Sequence, residues 1–283
     1  AQPTPQLTPA KAQELAALSS NVSVLEADLD SGESVARVLH DCHGAFLVTD
    51  FASHLADKER RRGVAQGVTV IDKAIKNGLS HVVFSSMAWG STEEEGQRRQ
   101  PCFQMEHKMA VEKYGLSRAD KINFTSIRMP LLFYQELVRS LLNRLYGNRY
   151  LFTMPVDADK PVYCMSVNDV GECVASVFDH PEKYRSKVVS VAGDCLPVGE
   201  IVRTLNRHLG PEMRVGYAGG ALNRHLFEWL RFPGVEDVRA VFERLNLETI
   251  VESDLSLTKQ LNPNVKSLDS WLVMNRHQIK ELK

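Results

Sequence analysis

The first half of the chain alternates short apolar runs with longer amphipathic stretches. Gly44 to Phe51 is an apolar run that ends in polar residues, and His81 to Ser85 and Asn123 to Arg128 are similar runs. Such runs are typical of buried parallel strands. Apolar residues recur every three or four positions from Arg61 to Lys76 and from Phe103 to Tyr114, which predicts two helices. The alternation predicts an α/β fold with a doubly wound, Rossmann-like parallel sheet.

One further strand is predicted nearer the start of the chain. Val22 to Leu25 is short and apolar, and the cluster from Asp30 to Ser34 that follows has the composition of a helix N-cap. We therefore predict a strand, a turn and a helix, in that order, before Gly44.

The pattern becomes less regular in the second half. It predicts a helix through Leu137 to Leu145, a strand at Tyr150 to Met154 and a helix over Ile201 to Leu209. These elements indicate a smaller α+β domain interleaved with the first. We place a Rossmann-like domain, incomplete at its start, at residues 1–148 and the smaller domain at residues 149–283.

The composition argues against several classes of function. Lys and Arg total 34 against 35 for Asp and Glu, so a net charge of -1 provides no global field for nucleic acid or an anionic membrane. No apolar run is long enough to span a bilayer. Five widely spaced cysteines without a C-x-x-C pair indicate reduced thiols and no metal site. We expect a soluble protein in the cytoplasm, with the nucleus as an alternative.

A dinucleotide site needs a glycine-rich turn between its first strand and helix, because only glycine lets the backbone approach the pyrophosphate. No such turn precedes Val22. The nearest match, Gly216 to Gly220, is interpreted as a flexible interdomain turn. Gly63 and Gly67 lie within a predicted helix, where we expect them to allow close packing against the sheet.

Lys108 is the main candidate for chemistry. In short-chain oxidoreductases a Tyr-x-x-x-Lys pair on one helix face lets the lysine lower the tyrosine pKa for proton donation. Gln104 stands four residues before Lys108, and no tyrosine precedes any lysine at this spacing. We therefore assign no catalytic residue. Lys108 could still bind ribose hydroxyls or act alone as an acid or base, and a solvated lysine is an equal alternative.

Several segments in a fixed order resemble the NmrA-like family: HVVFSS, MEHKMAVEKYG, TSIRMP, LLFYQEL, MSVNDVG and SLDSWL. The likeness is strongest to animal members described as NADP(H) redox sensors. It implies an atypical short-chain dehydrogenase/reductase fold in which NADP(H) binding regulates association with protein partners, generally without turnover.

The resemblance also implies a set of cofactor-binding residues. Ser31 and Gly32 would lie near the adenine, and Thr49, Asp50 and Phe51 would line the cofactor cleft. Lys108 would contact the nicotinamide ribose. The nicotinamide would be bordered by Leu132, Phe133, Tyr134 and Gln135.

Two departures from the family pattern bear on the cofactor. Ala65 stands where the family has a basic residue, and the family's first strand, glycine-rich loop and 2′-phosphate site have no counterpart in this sequence. We therefore expect NADP(H) binding to be weakened or lost.

The leading hypothesis is a non-catalytic regulator, a redox sensor or transcriptional regulator, that acts through protein partners and could form homodimers. The alternative is an NAD(P)H-dependent reductase of quinones or small carbonyls that uses Lys108. A third hypothesis is a truncated product with a compromised fold. Direct nucleic-acid binding is not expected.

Overall fold

A computed structural model describes residues 9–49, 62–88, 103–219, 242 and 254–282 of the chain. The chain divides into two compact units. The first comprises residues 1–85, 103–126 and 185–187, and the second comprises residues 86–102, 127–184 and 188–283. The division after residue 148 stays a prediction.

The elements up to the third strand are α1 (Pro9–Ala16), α2 (Gly32–Val38), β1 (Gly44–Leu47), α3 (Arg62–Lys76), β2 (His81–Met87), α4 (Phe103–Ser117) and β3 (Asn123–Met129). The elements that follow are β4 (Leu132–Phe133), α5 (Tyr134–Arg139), β5 (Leu142–Tyr146), β6 (Arg149–Met154), β7 (Pro161–Met165), a 3₁₀ turn (Val167–Asp169), α6 (Val170–Asp179), α7 (Pro181–Tyr184), β8 (Val188–Ser190), β9 (Asp194–Pro197), α8 (Val198–Leu209), β10 (Arg214–Gly219), α9 (Leu255–Leu261) and α10 (Leu268–Leu282).

The predicted α/β fold with a parallel sheet is confirmed. A four-stranded sheet has the order β1-β2-β3-β8, and β1 pairs with β2 in parallel with Leu47 opposite Phe84. The helix predicted from Arg61 to Lys76 corresponds to α3, whose residues Val70, Ile71 and Ala74 are buried. Its apolar face packs into a core that also contains residues of β2 and α4.

The predicted strand at Val22 to Leu25 is wrong. This segment is not assigned to any sheet, and Val22, Val24 and Leu25 are 38%, 42% and 67% exposed. A strand requires a partner for its backbone hydrogen bonds. No strand in the described ranges pairs with this segment, so its apolar sequence alone does not make it one.

The predicted helix through Leu137 to Leu145 is also wrong. Helix α5 ends at Arg139, and β5 forms an antiparallel hairpin with β6 instead. Gly147 has φ +54°, a left-handed conformation that glycine adopts without strain, and it allows the tight turn between the strands. The hairpin places Leu142 opposite Phe152, and both side chains are fully buried.

The glycine-containing segment around Gly216 is a strand rather than a flexible turn. Strand β10 pairs in parallel with β6, with Gly216 opposite Leu151 and Gly219 opposite Met154. The sheet order is β10-β6-β5, and a separate small sheet has the order β4-β7-β9. Backbone hydrogen bonds to β6 therefore hold this segment in a strand. Its glycine content had favoured the prediction of a turn.

Close packing between helices explains Gly67. A Cβ atom at Gly67 would lie 2.5 Å from Val111 Cγ2 on α4. The expectation of close packing is correct at this glycine, but its tight contact is a helix rather than the sheet.

Candidate functional site

Lys108 is buried at the carboxyl end of β2. Its residue is 8% exposed, and its Nζ donates a hydrogen bond of 2.8 Å to the backbone oxygen of Ser85. Burial lowers the pKa of Lys108 to about 8, because the protonated amine loses hydration. The alternative of a solvated lysine is therefore wrong.

The amine of Lys108 lies over an aromatic ring. Lys108 Nζ lies 5.1 Å from the centroid of the Phe84 ring, which stacks on Phe124 with centroids 6.3 Å apart. A cation over an aromatic ring is favourable, but a phenylalanine ring has no lone pair that could accept a hydrogen bond from the amine. The Ser85 carbonyl takes one of three amine N–H groups, and among the described residues the other two have no hydrogen-bond partner.

The first unit contains one tyrosine, and it is not available to Lys108. Tyr114 follows Lys108 by six residues on α4, which places it on a different helix face. Its hydroxyl donates to Asp72 Oδ1 at 2.5 Å and accepts from Arg118 Nη2 at 2.8 Å. No tyrosine of this unit is therefore placed to share a proton with the lysine.

Other predicted site residues of the first unit have structural partners. Ser31 caps α2, since its Oγ accepts a hydrogen bond of 3.2 Å from Ser34 N. A Cβ atom at Gly32 would lie 2.8 Å from Lys73 Cε on α3. Thr49 is buried just after β1, whose carboxyl end lies at the same sheet edge as that of its parallel neighbour β2.

The predicted residues from Leu132 to Gln135 belong to the second unit. Leu132 packs in its core. Tyr134 is fully buried and donates to Asp194 Oδ2 at 2.8 Å, and burial raises the pKa of its hydroxyl. Gln135 Nε2 donates to Ser166 Oγ at 3.2 Å. The Tyr134 and Gln135 side chains thus organise the fold, while half-buried Phe133 retains a surface for a ligand.

The structure groups the predicted site residues by unit. Ser31, Gly32, Thr49 and Lys108 lie in the first unit and Leu132 to Gln135 in the second, whereas Asp50 and Phe51 lie outside the described residues. Sequence reasoning missed Phe84 and Asp194. Phe84 lies in the predicted strand run, but no spacing connects it to Lys108, and Asp194 meets Tyr134 only through the tertiary fold.

The described ranges contain neither of two further classes of site. No group of three or more His, Cys, Asp or Glu side chains there could hold a metal ion. Nor does any helix in these ranges have the length and apolar character needed to cross a membrane.

Comparison with solved structures identifies similar folds. The negative transcriptional regulator NmrA in complex with NAD has a TM-score of 0.73 at 17% identity, over 94% of this chain and 84% of that one. An Escherichia coli NADPH-dependent quinone oxidoreductase with NADPH has a TM-score of 0.65 at 17% identity, over 97% and 88%. Citrobacter triphenylmethane reductase with NADP(H) has a TM-score of 0.68 at 14% identity, over 94% and 87%.

Sequence comparison identifies the family. An NmrA-like family domain-containing protein from Dictyostelium discoideum is 20% identical over 202 residues, which span 70% of this chain and 64% of that relative's length. The family model described as the NmrA-like family matches residues 7–272. The chain therefore belongs to the NmrA-like family.

Proposed function

We propose that this polypeptide is a non-catalytic regulator that acts by associating with protein partners. The observation that best supports this proposal is the environment of Lys108. The amine is buried over Phe84 and bonded to Ser85, whereas the only tyrosine of its unit is bonded to Asp72 and Arg118. The lysine is thus suited to holding a ligand, and the one tyrosine of its unit is not placed to be the acid that a tyrosine-dependent reductase requires.

The chemistry of Lys108 fits part of an NADP(H) molecule. Its two remaining N–H groups suit ribose hydroxyls, and at neutral pH the amine is mostly protonated because its pKa is about 8. A bound nicotinamide would supply hydride chemistry. Thr49 would border the cofactor by the same proposal. NAD and NADPH are bound by structural neighbours of this chain.

The phosphate groups of the cofactor fit less well. A pyrophosphate is normally held by glycine backbone amides and a helix N-terminus. The sequence contains no G-x-G-x-x-G run. We therefore propose that NADP(H) affinity of this 283-residue polypeptide is weak, so that regulation through the cofactor is reduced.

The proposed partner class is based on one of the fold neighbours. NmrA is a negative transcriptional regulator, and on that basis we propose protein partners in transcriptional or redox regulation, in the cytoplasm and nucleus. A homodimer is compatible with this role. Direct nucleic-acid binding is not part of the proposal, because the net charge is -1.

One observation favours a second function, an NAD(P)H-dependent reductase of quinones or small carbonyls. A lysine whose pKa is about 8 can donate a proton near neutral pH without a tyrosine. Two structural neighbours are reductases, one of quinones and one of triphenylmethanes. Under this function Lys108 would be the proton donor to the substrate oxygen.

Isothermal titration of the 283-residue polypeptide with NADPH tests the cofactor part. We expect no saturable heat at micromolar NADPH, and binding in the millimolar range at most. Lys108→Met is the matched variant, and it should weaken any residual binding because the ribose hydroxyls lose their donor. A micromolar Kd for the wild-type polypeptide would show that the proposed impairment is wrong.

A further inference from the structure

The sheet β10-β6-β5 of the second unit has one buried face and one exposed face. Tyr150, Phe152 and Val215 belong to the core of the unit. Arg149 and Arg214 directly precede Tyr150 and Val215 on β6 and β10, and both arginines are exposed. Because successive side chains of a strand lie on opposite faces, the two arginines lie on the solvent face of the sheet.

Two like charges are opposed on this solvent face. Arg149 and Arg214 are register partners in the parallel pairing of β6 with β10. Neighbouring strands lie about 4.8 Å apart and register partners share a face, so the two guanidinium groups repel each other. Neither arginine takes part in an ion pair or a side-chain hydrogen bond with a described residue. Their charges are therefore not compensated within the described part of the chain.

The sequence around the two arginines offers few acidic residues. No aspartate or glutamate occurs at residues 137–156, where three arginines stand. The acidic residue nearest to Arg214 in the sequence is Glu212, which pairs with Arg276 at 3.5 Å. The net charge of the whole chain is -1, so this positive surface is a local feature. A bound carboxylate would replace the repulsion between the arginines by attraction to both.

Exposed apolar side chains border the arginines. Tyr146 lies opposite Arg149 in the pairing of β5 with β6, and its ring centroid is 5.3 Å from the guanidinium carbon. Tyr146 is 65% exposed, and its neighbour Leu145 is 56% exposed. On β10 the next position on the solvent face after Arg214 is Gly216, which adds no side chain that would cover this face. Tyrosine and arginine are enriched among the residues that dominate the binding energy of protein interfaces.

We propose that this arginine face, defined by Arg149, Arg214, Tyr146 and Leu145, docks a short acidic segment of a protein partner. Each guanidinium takes an aspartate or glutamate carboxylate as a bidentate pair. Tyr146 and Leu145 pack against an apolar side chain of the same segment. The inference rests on the proposed function, because it assigns the surface through which the regulator binds a partner. It involves neither Lys108 nor a nucleotide.

Fluorescence anisotropy of labelled peptides, titrated with the 283-residue polypeptide, tests the arginine face. The probe is fluorescein-labelled EDFEDL, which combines acidic residues with a phenylalanine and a leucine. QNFQNL is its uncharged match, and EDGEDG keeps the charges without the apolar side chains. A fluorescein-labelled oligothymidylate provides negative charge on a nucleic-acid backbone instead of a peptide.

Three variants connect the binding to the arginine face. Arg149→Gln/Arg214→Gln removes both charges from the face, and Tyr146→Ser removes the aromatic ring. Lys183→Gln/Arg203→Gln is the matched control, because it removes two exposed positive charges from helices of the same unit. Arg214→Gln alone checks the fold. Since the Arg214 side chain is opposed only by a like charge, this variant should unfold at a temperature equal to or above that of the wild type.

We expect EDFEDL to bind the wild type saturably and more weakly as NaCl is raised, because salt screens exposed charges. Arg149→Gln/Arg214→Gln should weaken this binding about tenfold, since charge-assisted hydrogen bonds to the carboxylates are lost. Tyr146→Ser should weaken it about threefold through lost apolar contact. The control Lys183→Gln/Arg203→Gln should change it less than about twofold. QNFQNL should bind about tenfold more weakly than EDFEDL, and EDGEDG should lie between them.

No saturable binding of EDFEDL, or equal binding by the wild type and Arg149→Gln/Arg214→Gln, would overturn the docking face. The regulatory function would survive that result, because a partner could use another surface, and its own failure would appear separately as turnover of NADPH. Tighter binding of oligothymidylate than of EDFEDL, lost in the same double variant, would assign the face to nucleic acid and overturn the proposal. A lower unfolding temperature for Arg214→Gln would show that its charge stabilises the fold, which also contradicts the proposal.

Discussion

Between pH 7.5 and pH 10.5 the wild-type protein should gain about 3 kcal/mol of stability relative to Lys108→Met. The pKa of Lys108 is about 8 in the folded protein against 10.5 for an ordinary lysine. Between these values the unfolded chain binds a proton that the folded protein does not, so the free energy of unfolding rises with pH. Below pH 8 the cost of burying the charged amine is fully present. Above pH 10.5 this cost is gone. The difference of 2.5 between the two pKa values corresponds to roughly 3 kcal/mol.

Urea unfolding of both proteins at the two pH values measures this difference. Lys113→Met is the matched control, because Lys113 is an exposed lysine on the same helix. Subtracting each variant removes the pH dependence of all other groups that the proteins share. A difference between wild type and Lys108→Met that stayed constant with pH would mean that the amine is hydrated, and the description of its site would be wrong.

Gly115→Ala should destabilise the first unit by about 1–3 kcal/mol, as overpacking of a core does. A Cβ atom at Gly115 on α4 would lie 2.2 Å from the Phe124 ring. That ring is fully buried and stacks on Phe84, which lies under Lys108, so it cannot move aside without disturbing the lysine. The favourable helix propensity of alanine offsets only part of the clash.

Gly171→Ala provides the control for this substitution. Gly171 also lies in a helix, α6, but beyond its chain neighbours and its own helix backbone no described atom lies within 4 Å of a Cβ added there. Alanine should be neutral or stabilising at this position by up to about 1 kcal/mol. Thermal unfolding compares the two variants directly, and a Gly115→Ala protein as stable as wild type would contradict the close contact with Phe124.

The sequence predicts the elements around the central sheet well, because β2 and β3 are apolar runs buried on both faces and α3 has one apolar face. The errors occur where the secondary structure of a segment depends on the element that it pairs with in the fold. The run from Leu137 to Leu145 has helical spacing, but a turn at Gly147 pairs its second half with β6. Val22 to Leu25 has a strand composition without a described neighbour.

The features of the candidate site follow the same rule: those set by local spacing are predictable from the sequence, and those set by contacts between elements are not. The position of Lys108 and the missing tyrosine follow from spacing along one helix. The pKa of the lysine does not, because Phe84 and Ser85 approach it from another element. The hydrogen bond from Tyr134 to Asp194 joins residues 60 positions apart, so no local motif could indicate it.

The central claim is that Lys108 holds a ligand and does not catalyse reduction. Stopped-flow oxidation of millimolar NADPH with a panel of quinones and small carbonyls tests it most directly, since the high concentration compensates for weak binding. We predict no turnover above the protein-free rate, and equal traces for wild type and Lys108→Met. Turnover by the wild type that Lys108→Met reduces tenfold or more would contradict the claim and establish a reductase.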